Sequence, residues 1–126
     1  MKKIIALLLA AVMVMCLFAG CASSGGSKVI KIGVFEPQSG DNGAGGKQEV
    51  LGIQYANSVK PTVTIGGEEY KIELDIQDNQ SSTDKAVSAA QQLVADKVSV
   101  VLGSYGSGVS IAAGTYFANA KIPAIG

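Results

Sequence analysis

The 126-residue sequence contains no histidine and only two cysteines. Without an imidazole base nothing activates Ser104, Ser107 or Ser110 as a nucleophile. Two cysteines, Cys16 and Cys21, do not make a metal cage, and Asp78 has no partners at metal-ligand spacing. An enzyme, a bound metal and an organic cofactor are therefore not expected. An excess of one charge is also missing. Ten Lys and Arg balance ten Asp and Glu, for a formal net charge of +0, which gives no electrostatic reason to expect nucleic acid or anionic lipid as a partner. The long apolar run, Ile4 to Phe18, is too short for a comfortable membrane span. The length allows one domain at most.

What is present begins with that run. Met1, Lys2 and Lys3 form a basic start, Ile4 to Phe18 carries no charge, and the small residues Ala19 and Gly20 close it. This pattern is a secretory signal over residues 1–20, to be excluded before the fold is read. Losing Lys2 and Lys3 leaves eight basic against ten acidic residues, a net charge of −2. Cys16 leaves with the signal, so Cys21 stands alone and no intrachain disulfide forms. Leu17, Phe18, Ala19, Gly20 and Cys21 resemble a bacterial lipoprotein attachment site, with Phe18 where that site usually has an aliphatic residue. The resemblance implies cleavage before Cys21 and acylation of Cys21. Acyl chains would anchor a soluble protein to the bacterial cell membrane without a spanning helix. The alternative is plain secretion with a free cysteine. Residues 21–28, rich in Ser and Gly, read as a tether between lipid and domain.

From residue 29 onward, strand and helix patterns alternate. Val29 to Phe35 is a first apolar strand, and Glu36 to Gly46 is a glycine-rich loop. Lys47 to Lys60 reads as a helix through Val50, Ile53, Ala56 and Asn57, ended by Pro61. Gly52 lowers helix stability there by about 1 kcal/mol; a close approach to a strand would explain it. Thr62 to Ile65, the Gly66–Gly67 turn and Glu68 to Ile76 lead into a half-buried strand, suited to a position near a sheet edge. A polar loop, Gln77 to Thr83, precedes a second helix with Ala86, Ala90, Leu93 and Val94 on its buried face. Its cap is Ser81 with Asp84 or Ser82 with Lys85. Val98 to Leu102 is a buried strand, Gly103 to Gly108 a Gly/Ser loop, Ser110 to Ala120 a third helix and Ile122 to Ile125 a last short strand. The expected fold is α/β, a doubly wound parallel sheet with helices on both faces. Ligands of such sheets bind beyond the carboxyl ends of the strands. Those ends lead into Glu36–Gly46, Gln77–Ser81 and Gly103–Gly108.

Two glycine-rich loops invite a phosphate or carboxylate reading. In the first, a P-loop would need glycine where Asp41 stands and Ser or Thr where Gln48 stands. A dinucleotide fingerprint would need its glycines tight against the strand, whereas Gly40 comes late. In the second, free N–H groups at a helix start together with the hydroxyls of Ser104, Ser107 and Ser110 suit a small carboxylate. Simple capping by Ser107 and a tight turn at Gly106 is the equal alternative.

The ordered set of segments resembles the branched-chain amino acid binding proteins, the type I periplasmic binding class that serves ABC importers. Ile30 to Phe35 with Ser39–Gly40 is similar to that family's opening strand and loop, and Gly46 to Ala56 to its first helix. Asp78, Asn79, Lys85, Ala86, Val87, Ala89, Ala90, Leu93 and Val94 match its second segment. Gly103, Ser107, Ala112 and Ile122–Pro123 match its third. The resemblance implies two α/β lobes closing on a small solute, of which residues 29–126 are an incomplete first lobe. It further implies that Ser107 holds a solute carboxylate, with Tyr105 and Gly106 in the same loop. In the family the first loop often carries an aromatic residue at the position of Gly45, so that contact is missing here or comes from elsewhere. Gln38 and Ser39, with Glu36, give this loop a polar character instead, and Gln38 and Ser39 are candidate ligand-binding residues. The implied partners are an amino acid or related carboxylate, an importer permease, and the bilayer through Cys21. A sensory ligand-binding domain of the same fold and a non-binding truncated remnant are the alternatives.

Overall fold

The computed structural model describes residues 28–126; the expected signal, Cys21 and nearly all of the tether lie outside them. Among the described residues are five strands and three helices: β1 (Val29–Glu36), α1 (Gly43–Val59), β2 (Thr62–Ile65), β3 (Glu68–Asp78), α2 (Thr83–Ala95), β4 (Val100–Leu102), α3 (Ser107–Asn119) and β5 (Ala124–Ile125). The sheet order is β2-β3-β1-β4-β5. β1 runs parallel to β3, with Ile32 opposite Leu74, and parallel to β4, with Ile32 opposite Val100. β5 is parallel to β4.

The sheet is parallel except at one edge. β2 pairs antiparallel with β3 through the Gly66–Gly67 turn, both glycines having positive φ (60° and 83°). A two-residue turn returns the chain beside itself and can make only an antiparallel pair. The hairpin therefore covers the outer edge of β3.

Alternation along β1 divides the two faces. Gly33 and Phe35 face α2 and α3, where Phe35, Ala90, Leu93, Val101, Val109 and Phe117 form the main core. Phe35 and Phe117 meet edge to face, ring centroids 5.6 Å apart at 83°, the arrangement that aromatic quadrupoles favour. A Cβ on Gly33 would meet the side chains of Leu93, Val98 and Val101 at 3.1–3.2 Å, so this position keeps α2 close to the sheet. Ile32 lies on the opposite face. There Ile53, Ala56 and Asn57 of α1 stand over Ile32, Leu74 and Leu102 and leave a groove of about 290 Å³. Leu51, Tyr55 and Val59 point to solvent.

The helix boundaries differ from the sequence reading in a consistent way. α1 begins at Gly43 rather than Lys47, and α3 at Ser107 rather than Ser110. Glycines mask both starts, because helical hydrogen bonding needs no apolar periodicity. Gly52 is not the site of close approach: nothing lies within 4 Å of where its Cβ would be. Gly46 is, since a Cβ there would overlap the carbonyl oxygen of Pro37. Of the two cap registers, the chain uses Ser82, whose hydroxyl accepts from the Lys85 amide.

Candidate functional site

Because β1, β3 and β4 are parallel, Glu36, Asp78 and Leu102 end at one edge of the sheet, and the three following loops gather there. The helices after β1 and β4 leave to opposite faces, so the crevice between their loops is a topological switch point. Tyr105 reaches across it: its backbone N–H donates to Glu36 Oε2 at 2.7 Å.

Asn79, fully buried, holds the three loops together. Its Nδ2 donates to the Phe35 carbonyl (3.3 Å) and to Ser104 Oγ (2.8 Å), and its Oδ1 accepts from the Ser81 amide (3.1 Å). Every polar atom of this side chain is thereby satisfied by a different segment, as a buried amide requires. Ser110 Oγ accepts from the Ser104 amide (3.4 Å) and lies 3.3 Å from the Gly106 carbonyl, which fixes the turn of the third loop from within α3.

Asp78 fastens the first loop to the second. Its carboxylate accepts from the Gln38 and Gln80 amides, each at 2.8 Å, and from Ser39 Oγ at 2.7 Å. Partial burial pushes this carboxyl up, but the Ser39 hydroxyl and the amides of Gln38 and Gln80 outweigh burial and hold it below its ordinary 3.8. Ser81 Oγ completes the seam, accepting from the Asn42 amide (2.9 Å) and donating to the Ser39 carbonyl (3.0 Å).

Glu36 is the other carboxyl of the site, and it is 3% exposed. Burial pushes it up from 4.5 to about 7; the Tyr105 amide opposes this, and a hydrogen bond and like charge from Glu49 add to it. A Cβ on Gly103 would overlap Glu36 Oε1 and the Phe35 carbonyl, so the glycine makes room for the buried carboxyl.

The residues expected from the sequence divide into two groups. Tyr105, Gly106 and Ser107 stand together at the start of α3. Gly106 occupies the N-cap with φ 131°, no side chain caps the helix, and Ser107 is its exposed first residue. Capping by the Ser107 hydroxyl, one of the two readings of this loop, is thus not what the chain does. The N–H groups of the first turn are left without a side-chain partner, the condition for binding an anion. Gln38 and Ser39 are brought instead to the seam with Asp78. The Ser39 hydroxyl and the Gln38 amide are already engaged there. Glu36 and Asn79 have larger structural parts than their sequence neighbourhoods suggested, and the signal for Glu36 was Gly103, sixty-seven positions away.

Residues 29–126 match the family model described as periplasmic binding protein. Among curated proteins none matches the chain. Among solved structures, a leucine binding protein from Thermotoga maritima is 33% identical with a TM-score of 0.68, over 76% of this chain and 27% of that one. The branched-chain amino acid transporter substrate binding protein from Streptococcus pneumoniae, in complex with isoleucine, is 35% identical with a TM-score of 0.67, over 77% and 28%. A solute binding protein of an ABC transporter from Rhodopseudomonas palustris, in complex with 3,4-dihydroxybenzoic acid, is 30% identical with a TM-score of 0.66, over 76% and 26%. The chain spans about a quarter of the length of these proteins. It belongs to the periplasmic binding protein family, with the partial lobe of the type I fold as its structure.

Proposed function

We propose that this chain is the first lobe of an extracytoplasmic solute-binding lipoprotein of an ABC importer, and that it captures a small carboxylate at the start of α3. One observation carries the reading: Gly106 leaves the helix uncapped, with Ser107 exposed beside it, at the switch point of the sheet. Donors left open at that place favour an anion through both hydrogen bonding and the helix dipole. Ser107 supplies a hydroxyl to one carboxylate oxygen, and the N–H groups of the first turn receive the other. Tyr105 and Gly106 border the solute. Gln38 and Ser39 act by holding the first loop in place through Asp78. The ligands of the solved relatives, leucine, isoleucine and a dihydroxybenzoic acid, share a carboxyl group and differ in the rest, which supports a site built around that group.

Acylated Cys21 tethers the lobe to the outer side of the cell membrane, and the importer permease receives the solute. The binding reading is tested with the chain itself by saturation-transfer NMR against acetate, leucine and benzoate. Binding that weakens severalfold in Ser107→Ala supports it. Equal binding in wild type and variant sinks the assignment of the carboxylate to α3. Anchoring is tested separately: radiolabelled fatty acid enters the wild-type protein in cells and not Cys21→Ala, and label in both overturns it.

A further inference from the structure

We propose that Tyr105, backed by Gly45, is a stacking platform that selects carboxylates carrying a flat ring. This rests on the reading that the start of α3 holds a solute carboxylate. A Cβ placed on Gly45 would stand 3.1 Å from Cζ of Tyr105, 3.2 Å from Cε1 and 3.3 Å from Cε2. Three adjacent ring atoms at nearly equal distance mean that the hydroxyl end of the ring lies face-on against the Gly45 backbone. A side chain at position 45 would compete for that space, so glycine there is what seats the ring.

Tyr105 as a residue is nevertheless 47% exposed. With one face supported by backbone, the exposed surface is what a ligand can meet. The platform is also fixed in place. The Tyr105 amide is tied to Glu36 Oε2 at 2.7 Å, and the next residue, Gly106, is the cap of α3. A carboxylate held on the first turn of α3 therefore carries its substituent one residue away from a ring whose backbone is tied to Glu36 and whose hydroxyl end rests against Gly45. Such a ring costs little further entropy when it is covered. Aromatic rings prefer offset or edge-to-face partners with centroids about 4.5–7 Å apart, and the preference adds about two- to tenfold in affinity beyond the area buried. An aliphatic substituent of the same size gains the burial without that increment.

The test compares benzoate with cyclohexanecarboxylate, which differ in ring flatness at nearly constant size, by NMR titration of the purified full chain. Benzoate is expected to bind about two- to tenfold more tightly. Tyr105→Leu should erase the ratio, and Tyr105→Phe should keep it. Gly45→Ala, which moves the ring off its seat, should reduce it. The Gly45 α-proton resonances report the seat independently of any ligand: they lie upfield in the wild type and return toward ordinary values in Tyr105→Leu. Equal affinities for the two acids, or a ratio unaltered in Tyr105→Leu, would overturn the platform while leaving the carboxylate site standing. If neither acid binds and acetate does not bind either, the carboxylate site fails, and the platform with it.

Discussion

Replacing Glu36 with Gln should stabilise the chain at pH 8 and leave it nearly unchanged at pH 4.5. The folded protein holds the Glu36 proton until about pH 7, whereas an unperturbed glutamate releases it near 4.5. Below 4.5 both states are protonated and the group has no pH-dependent effect. Between 4.5 and about 7 the unfolded chain ionises while the folded chain retains its proton, so folding stability falls as pH rises. That interval is worth about 3 kcal/mol, at about 1.4 kcal/mol per pH unit. Glutamine keeps an oxygen to accept from the Tyr105 amide, places an N–H toward Glu49, and never ionises. Urea unfolding of wild type and Glu36→Gln at half-unit steps from pH 4.5 to 8 measures the difference directly. The expected gap opens through the interval to about 2–3 kcal/mol in favour of the variant. Asp78 does not confuse the reading, because its lowered pKa acts below 3.8. A gap that is constant with pH, or a variant that loses stability at pH 8, would refute burial as the cause of the raised pKa.

Two further perturbations follow from the geometry. Asp78→Ala removes the acceptor for the Gln38 and Gln80 amides and the Ser39 hydroxyl and should cost about 1–3 kcal/mol at pH 7. The wild type should lose this increment as pH falls through the lowered Asp78 value, so the two proteins converge in acid; urea midpoints that stay parallel down to pH 2 contradict this. Gly46→Ala and Gly52→Ala make the same chemical change on one helix with opposite outcomes. The first puts a methyl group against Pro37 and should cost about 1–3 kcal/mol. The second meets nothing within 4 Å and should gain about 0.5–1 kcal/mol from helix propensity. Thermal unfolding of the pair checks both signs at once.

How much of this could be read from the sequence depends on the range of the interaction. The alternation of elements and the Gly66–Gly67 turn are set within a few residues, and they stood in the sequence as strand period and turn dipeptide; the cap of α2 was legible only as a choice between Ser81 and Ser82. The starts of α1 and α3 did not, because Gly43 to Gly46 and Ser107–Gly108 combine helical backbone with the composition of a loop. Tertiary hydrogen bonding and packing against Pro37 overrule propensity there. The antiparallel hairpin was half visible: its turn was legible, but which edge it covers follows only from the crossover that puts β3 beside β1.

The site shows the same division more sharply. Tyr105, Gly106 and Ser107 are neighbours in the chain, so a local motif located them together. Gln38 and Ser39 follow the strand end in the sequence, but the Gln38 amide and the Ser39 hydroxyl answer to Asp78, forty and thirty-nine positions on. No local pattern distinguishes a serine that meets a ligand from one that holds a loop. Glu36 is the extreme case. In the sequence it is the first polar residue after an apolar strand, the usual mark of a solvated loop. In the fold β4 delivers Gly103 and the Tyr105 amide onto it, and it becomes a buried acid. The absence of a side chain at Gly103 and at Gly45 is therefore as informative as any polar residue in the loops. One glycine admits the carboxyl that fixes the Tyr105 backbone, and the other seats the Tyr105 ring. Restoring a side chain at either position should disturb Tyr105 without altering a single group that could touch a solute. On the proposed platform, specificity would accordingly rest on two glycines that the sequence shows only as members of glycine-rich loops.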